Sequence, residues 1–193
     1  MNVLFVHGFW DTGCVFRRLR KKLEAAGHTC YSPTLNPRDG RHGLDDLARK
    51  LATYVETELK EVQPLAVVGF SMGCLVSRYY LQRLRGERRI AAFFAISGPL
   101  HGTAMAYLYP GQGARDMRFR SQFLQELDAT AAGLAGIPLH TYYTPYDAMI
   151  LPQTSSRLAG ATELKVNAWL HPLMLTHPAV GHDLITKLNQ LEA

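Results

Sequence analysis

Leu65 to Val68 form an uninterrupted apolar run that enters Gly69-Phe70-Ser71-Met72-Gly73, and Leu75, Val76, Tyr79, Tyr80 and Leu84 follow at helical spacing. A strand, a sharp turn and a helix are therefore predicted around Ser71. Gly-x-Ser-x-Gly also arises by chance where a serine caps a glycine-rich helix start. Here the strand before it and the helix behind it match the turn that lifts a serine hydroxyl clear of a sheet, where a base can take its proton. Side chains two residues before and after the serine would strike neighbouring backbone in so tight a turn, which explains Gly69 and Gly73. The amide of Met72 then lies at the positive end of the helix, where it can point at an oxyanion.

The flanking chain repeats the same alternation. Val3 to Val6 reads as a buried strand and ends in His7-Gly8-Phe9-Trp10-Asp11-Thr12-Gly13; Val15, Phe16, Leu19 and Leu23 mark a helix that Gly27 stops. A short strand follows at 29–31, and Leu44, Leu47, Ala48, Leu51, Tyr54 and Val55 define the clearest amphipathic helix. Ile90 to Ile96, Pro138 to Thr144 and Thr162 to Ala168 read as further strands, and a closing helix is predicted from Leu184 to about Leu191. Apolar strands alternating with amphipathic helices imply an α/β fold, a doubly wound, mostly parallel sheet of about six strands flanked by helices. A single domain over residues 1–193 is expected. Residues 97–136 break the pattern. With one helix predicted between Phe119 and Ala132, they form an insertion at the carboxyl edge of the sheet, read either as a short lid or pocket wall or as a plain connection.

Composition excludes several classes. An apolar share of 47% and a charged share of 19% are those of an ordinary globular chain. The net charge of +5 comes from arginines placed largely on the polar faces of predicted helices, without an aromatic-interleaved basic motif, so no nucleic-acid partner is expected. Cys14, Cys30 and Cys74 fit neither a disulfide framework nor paired metal ligands. No export signal or run of membrane-spanning length is present, so no stable membrane insertion and a cytoplasmic location are expected. Oligomeric state stays open.

A serine raised in this way needs a histidine and an orienting carboxylate from the same sheet edge. Asp147 stands just beyond a predicted strand. His182 follows the last strand and precedes the closing helix, with His177 five residues earlier as a competing base; spacing leaves the two open. His140 falls inside a strand pattern, and His171 precedes a proline in an irregular stretch. The loop after the first strand is placed to give a second oxyanion donor, the backbone N–H of Phe9, with His7 in a structural role. Trp10, Tyr107, Leu108 and Tyr109 are candidates for an apolar substrate pocket.

Taken together, Val6-His7-Gly8-Phe9, Gly69-Phe70-Ser71-Met72-Gly73, Ser97-Gly98-Pro99-Leu100-His101-Gly102-Thr103, Asp147 before Ile150-Leu151-Pro152, and Val180-Gly181-His182 resemble the bacterial lipase and esterase branch of the α/β-hydrolases. The resemblance runs from the first strand to the last helix and is to a minimal, small-lidded form. It implies a catalytic triad of Ser71, Asp147 and His182, and it is the Val-Gly-His match that favours His182 over His177. It also implies an oxyanion hole from the Phe9 and Met72 amides, with no metal or organic cofactor. Leu100 departs from the family pattern, which has histidine there. The expected activity is hydrolysis of a small-molecule or lipid carboxylic ester through an acyl-enzyme. The alternatives are a thioesterase or acyltransferase with the same triad, or a non-catalytic binding protein of the same fold.

Overall fold

A computed structural model describes residues 1–192. Its centre is a six-stranded sheet ordered β2-β1-β3-β4-β5-β6. The strands are β1 (Asn2–Val6), β2 (Thr29–Tyr31), β3 (Leu65–Phe70), β4 (Ile90–Ile96), β5 (Leu139–Tyr143) and β6 (Thr162–Lys165). Every neighbouring pair is parallel, so the sheet is wholly parallel.

Parallel pairing requires each connection to cross a face of the sheet, and the period-two alternation of the strands serves both faces. Leu4, Val6, Leu65, Val67, Phe93 and Ala95 turn to one side and pack on α2 (Leu44–Thr57) and α3 (Met72–Arg83). Val3, Phe5, Ala66, Val68, Phe70, Phe94 and Ile96 turn to the other, where α1 (Arg17–Ala25) contributes Leu19 and Leu23. The last helix, α6 (Pro178–Gln190), adds Val180, Leu184 and Leu188 to that side. The β3 strand is buried at all six residues because both faces are covered.

The 97–136 segment carries two short helices, α4 (Gln112–Asp116) and α5 (Gln122–Ala129). Phe123, Leu124 and Leu127 of α5 pack into the same apolar cluster as α3. The buried Asp116 reaches back 72 residues to accept the Leu44 amide at 2.8 Å, satisfying one free donor at the start of α2. Leu100, the departure from the family pattern, is fully buried in this cluster.

The closing helix differs from expectation at its start. It begins at Pro178, six residues earlier than the apolar spacing suggested, because His177 acts as its N-cap: Nδ1 accepts the Ala179 amide at 3.3 Å, and Pro178 takes the first helical position. This shift decides the fate of both histidines proposed as the base. Among the described residues, no helix is long and apolar enough to cross a membrane.

Candidate active site

Ser71 sits at the junction of β3 and α3 with φ 53° and ψ −126°, a backbone state costly for any residue with a side chain. The surrounding structure holds it there. A Cβ on Gly73 would overlap the Val6 carbonyl oxygen, and one on Gly69 would lie 2.8 Å from the Cys74 Cα. Only glycine lets α3 start this close to β1. The Met72 amide begins α3, and Phe9 follows the tight loop after β1. Neither amide donates a hydrogen bond within the described residues. Both are thus available where a helix N-terminus and a strand-end loop meet beside the serine.

His7 holds that loop. Its Nδ1 lies 2.9 Å from the Gly8 carbonyl oxygen and its Nε2 accepts the Leu35 amide at 2.9 Å, so Nδ1 carries the proton and the ring is neutral. Burial lowers its pKa and keeps it neutral, in keeping with a structural role.

Asp147 lies in the loop after β5 and is 2% exposed. Its Oδ1 accepts the Met149 and Ile150 amides at 2.9 and 3.1 Å, which fixes the carboxylate and turns Oδ2 toward the sheet edge. There Oδ2 meets Nδ1 of His171 at 2.8 Å. Burial pushes the Asp147 carboxyl upward, but the hydrogen bond and charge of His171, with the two amides, outweigh it and hold it below the ordinary carboxylate value. The other ring nitrogen of His171, Nε2, is buried and has no hydrogen-bond partner among the described residues. The ring packs against Phe70, the residue before Ser71, with centroids 4.8 Å apart.

The histidine on Asp147 is therefore His171, and not His182 or His177. His182 lies on the exposed face of α6, where the early helix start carries it, and its carbonyl accepts the Thr186 hydroxyl. His177 is spent on the helix cap. The chain beyond β6 keeps running beside the end of β5: the Val166 amide donates to the Tyr143 carbonyl at 2.9 Å, and the Thr144 hydroxyl to the Ala168 carbonyl at 2.7 Å. That continuation delivers His171 to the same edge as Asp147. Trp169 stacks on Tyr146 with centroids 4.6 Å apart and pins the two loops together. The signal was in the sequence: His177-Pro178 is a helix start, so the only histidine of that loop left between strand and helix was His171.

The motif Ser97–Thr103 clamps the Asp147 loop. The Thr103 hydroxyl donates to the Met149 carbonyl at 2.9 Å and accepts the Leu151 amide at 3.0 Å. The Ser155 hydroxyl donates to the Gly102 carbonyl at 2.6 Å and accepts the His101 amide at 3.0 Å. Beside Ser71 lies a small cavity of about 40 Å³ lined by Phe9, Pro99, Thr103, Met105, Ala106, Tyr109, Met117, Met149 and Ile150. Of the predicted pocket residues, Tyr109 lines it and Trp10 packs at its rim on Phe9 and Tyr109, at centroid distances of 4.9 and 5.3 Å. Tyr107 and Leu108 do not line it. They are 54% and 71% exposed, because the tight 3₁₀ turn Ala104–Tyr107 directs Met105 and Ala106 inward and the next two residues out. Among the described residues, no cluster of three or more His, Cys, Asp or Glu side chains could hold a metal ion.

Comparison with known proteins agrees with this architecture. A carbendazim hydrolyzing esterase from Nocardioides sp. (strain SG-4G) is 27% identical over 114 residues, covering 56% of this chain and 47% of the relative. The crystal structure of Aspergillus fumigatus lipase B superposes with a TM-score of 0.84 at 18% identity, over 97% of this chain and 52% of that one. The Bacillus licheniformis lipase BlEst2 in mature form gives 0.80 at 15% identity, over 97% and 91%. The chain thus spans about half the length of the curated relative and of the fungal lipase. At these identities the structural likeness establishes the fold. The model of the alpha/beta hydrolase family matches residues 3–188, nearly the whole sequence, and the chain belongs to that family.

Proposed function

We propose that the chain is a serine hydrolase of carboxylic esters in which Ser71 is the nucleophile, His171 the general base and Asp147 its orienting carboxylate. The observation that carries this reading is the 2.8 Å contact of Asp147 with His171 at the sheet edge where Ser71 is held. Asp147 fixes the tautomer with the proton on Nδ1 and leaves Nε2 to take the Ser71 proton. Ser71 Oγ attacks the ester carbonyl, and the negative charge that forms on its oxygen is met by the Phe9 and Met72 amides. His171 then returns the proton to the departing alcohol. Water, deprotonated by the same histidine, releases the acid and restores the serine. Membership of a hydrolase family and the distant likeness to an esterase support the same class of reaction.

Intact-mass labelling with a fluorophosphonate tests the assignment. The wild type should take one adduct and Ser71→Ala none. His171→Ala should slow labelling and ester turnover by about 10³-fold or more, whereas His182→Ala, on an exposed helix face, should stay within about twofold. Loss of labelling in His182→Ala with retention in His171→Ala would restore the base expected from the sequence motif. A folded wild type that never labels would remove the hydrolase reading altogether.

A further inference from the structure

Asp11 is a second carboxylate at the site. It is only partly exposed, yet its side chain accepts no hydrogen bond within the described residues. Its position is set by backbone alone: the Asp11 amide donates to the Gly8 carbonyl at 3.2 Å, and Trp10, in a left-handed conformation with φ 61°, donates to the Arg38 carbonyl at 2.9 Å. The point where a Gly8 Cβ would stand is 2.8 Å from Asp11 Oδ2 and 3.0 Å from the Ser71 Cβ, so that oxygen lies within about 6 Å of the Ser71 Cβ. Gly8 clears the space between them. Burial raises the Asp11 carboxyl above its ordinary value, and the neighbouring histidines offset only part of that rise.

An ionised carboxylate beside a developing oxyanion opposes the reaction unless a cation or hydrogen-bond donor occupies the space between. The Phe9 and Met72 amides meet the oxyanion itself, but among the described residues no group donates to the Asp11 carboxylate, so its partner is left to the substrate. Asp11 is also absent from the apolar lining that would receive the acyl group. It feels the charge of His171, the residue that must reach the leaving oxygen. Asp11 therefore faces the alcohol side of the ester. An unpaired carboxylate within about 6 Å of the Ser71 Cβ is the chemistry that recognises an ammonium group.

We infer that Asp11 is a specificity-determining residue that binds a positively charged leaving group, so that this site prefers esters whose alcohol portion carries an ammonium. The inference rests on the serine-hydrolase reading above. The Ser71 Oγ–carbon bond forms, the bond from that carbon to the alcohol oxygen breaks, and the Ser71 proton passes through His171 to that oxygen. The alcohol departs with its ammonium charge unchanged.

The test compares kcat/KM for ethyl, 2-hydroxyethyl and 2-(trimethylammonio)ethyl butanoate, with fluorophosphonate labelling alongside. Ionic strength is held near 0.15 M, where the repulsion of a cation by the chain's +5 charge is screened beyond about 8 Å and contact decides. The wild type should favour the ammonium ester over the ethyl ester about tenfold, with the hydroxyethyl ester between. Asp11→Asn should bring the ammonium preference close to unity. A wild-type ratio near one overturns the inference whether or not the variant folds, and so does a preference that survives in Asp11→Asn. Turnover of all three esters at equal rates, with Ser71 labelled, would remove Asp11 from specificity and leave the hydrolase standing. No turnover and no labelling would remove both.

Discussion

Asp147 and His171 are each ordinary residues given a task by their surroundings. The Asp147 carboxyl is held below its ordinary value in the folded chain, so its stabilising contribution is complete above that ordinary value and is lost as pH falls through the lower folded one. Urea unfolding of wild type and Asp147→Asn should therefore differ most at neutral pH, and the two curves should converge under acid conditions. A difference that persists unchanged at low pH would mean that ionisation of Asp147 does not support the fold. The same variant should lower kcat by about 10⁴-fold, because an amide no longer holds the proton on His171 Nδ1. Ser71, Asp147 and the two oxyanion amides could be proposed from sequence because each follows a strand that announces itself. His171 could not be weighed correctly while α6 was started too late.

Among the elements, the loops at the carboxyl edge are tied to one another more than to the strands they leave. Thr103 is the knot: within 3.3 Å its hydroxyl contacts Met149 and Leu151, in the loop just after Asp147, and Met105 of its own segment. Thr103→Val keeps the volume and leaves a part-buried amide and carbonyl without their partner, a cost of about 1 kcal/mol. In a chain of this size that corresponds to a fall in Tm of about 2–4 °C, measured calorimetrically. Freed from the clamp, Asp147 should wander, and kcat should fall about tenfold with KM changed much less. An unchanged kcat beside a lowered Tm would show that the clamp serves stability alone. The motif around Thr103 was visible in the sequence. Its partners were not, since they lie some 50 positions away.

At the scale of the molecule, the space beside Ser71 is made by four separate pieces: the β1 loop, the β3 to α3 turn, the 97–136 segment and the Asp147 loop. At about 40 Å³ it has room for roughly three water-sized groups. Esters of two to four acyl carbons should therefore be turned over best, with kcat/KM at eight carbons lower by about tenfold. Met105, Met117 and Met149 line this space, and truncating one should widen it. In Met117→Ala the optimum should move toward longer chains in a p-nitrophenyl ester series. An optimum already at eight or more carbons in the wild type would show that the 97–136 segment moves aside.

The sequence by itself determined the order and type of the strands and main helices, the doubly wound parallel sheet, and the serine turn. Those features are written in local terms: apolar period along one segment, and glycine where backbone must approach backbone. Tertiary structure decided which histidine reaches Asp147, which aromatics line the pocket, and that Asp11 stands across from the serine. Each depends on where a chain leaves a strand and how far it runs before the next helix begins. A shift of a few residues in the start of α6 turns one histidine to solvent, and the run beyond β6 sets another in the site. Apolar spacing alone leaves such a shift undetermined; the His177-Pro178 cap sets the start of α6, and packing at the edge of the sheet sets where His171 lands.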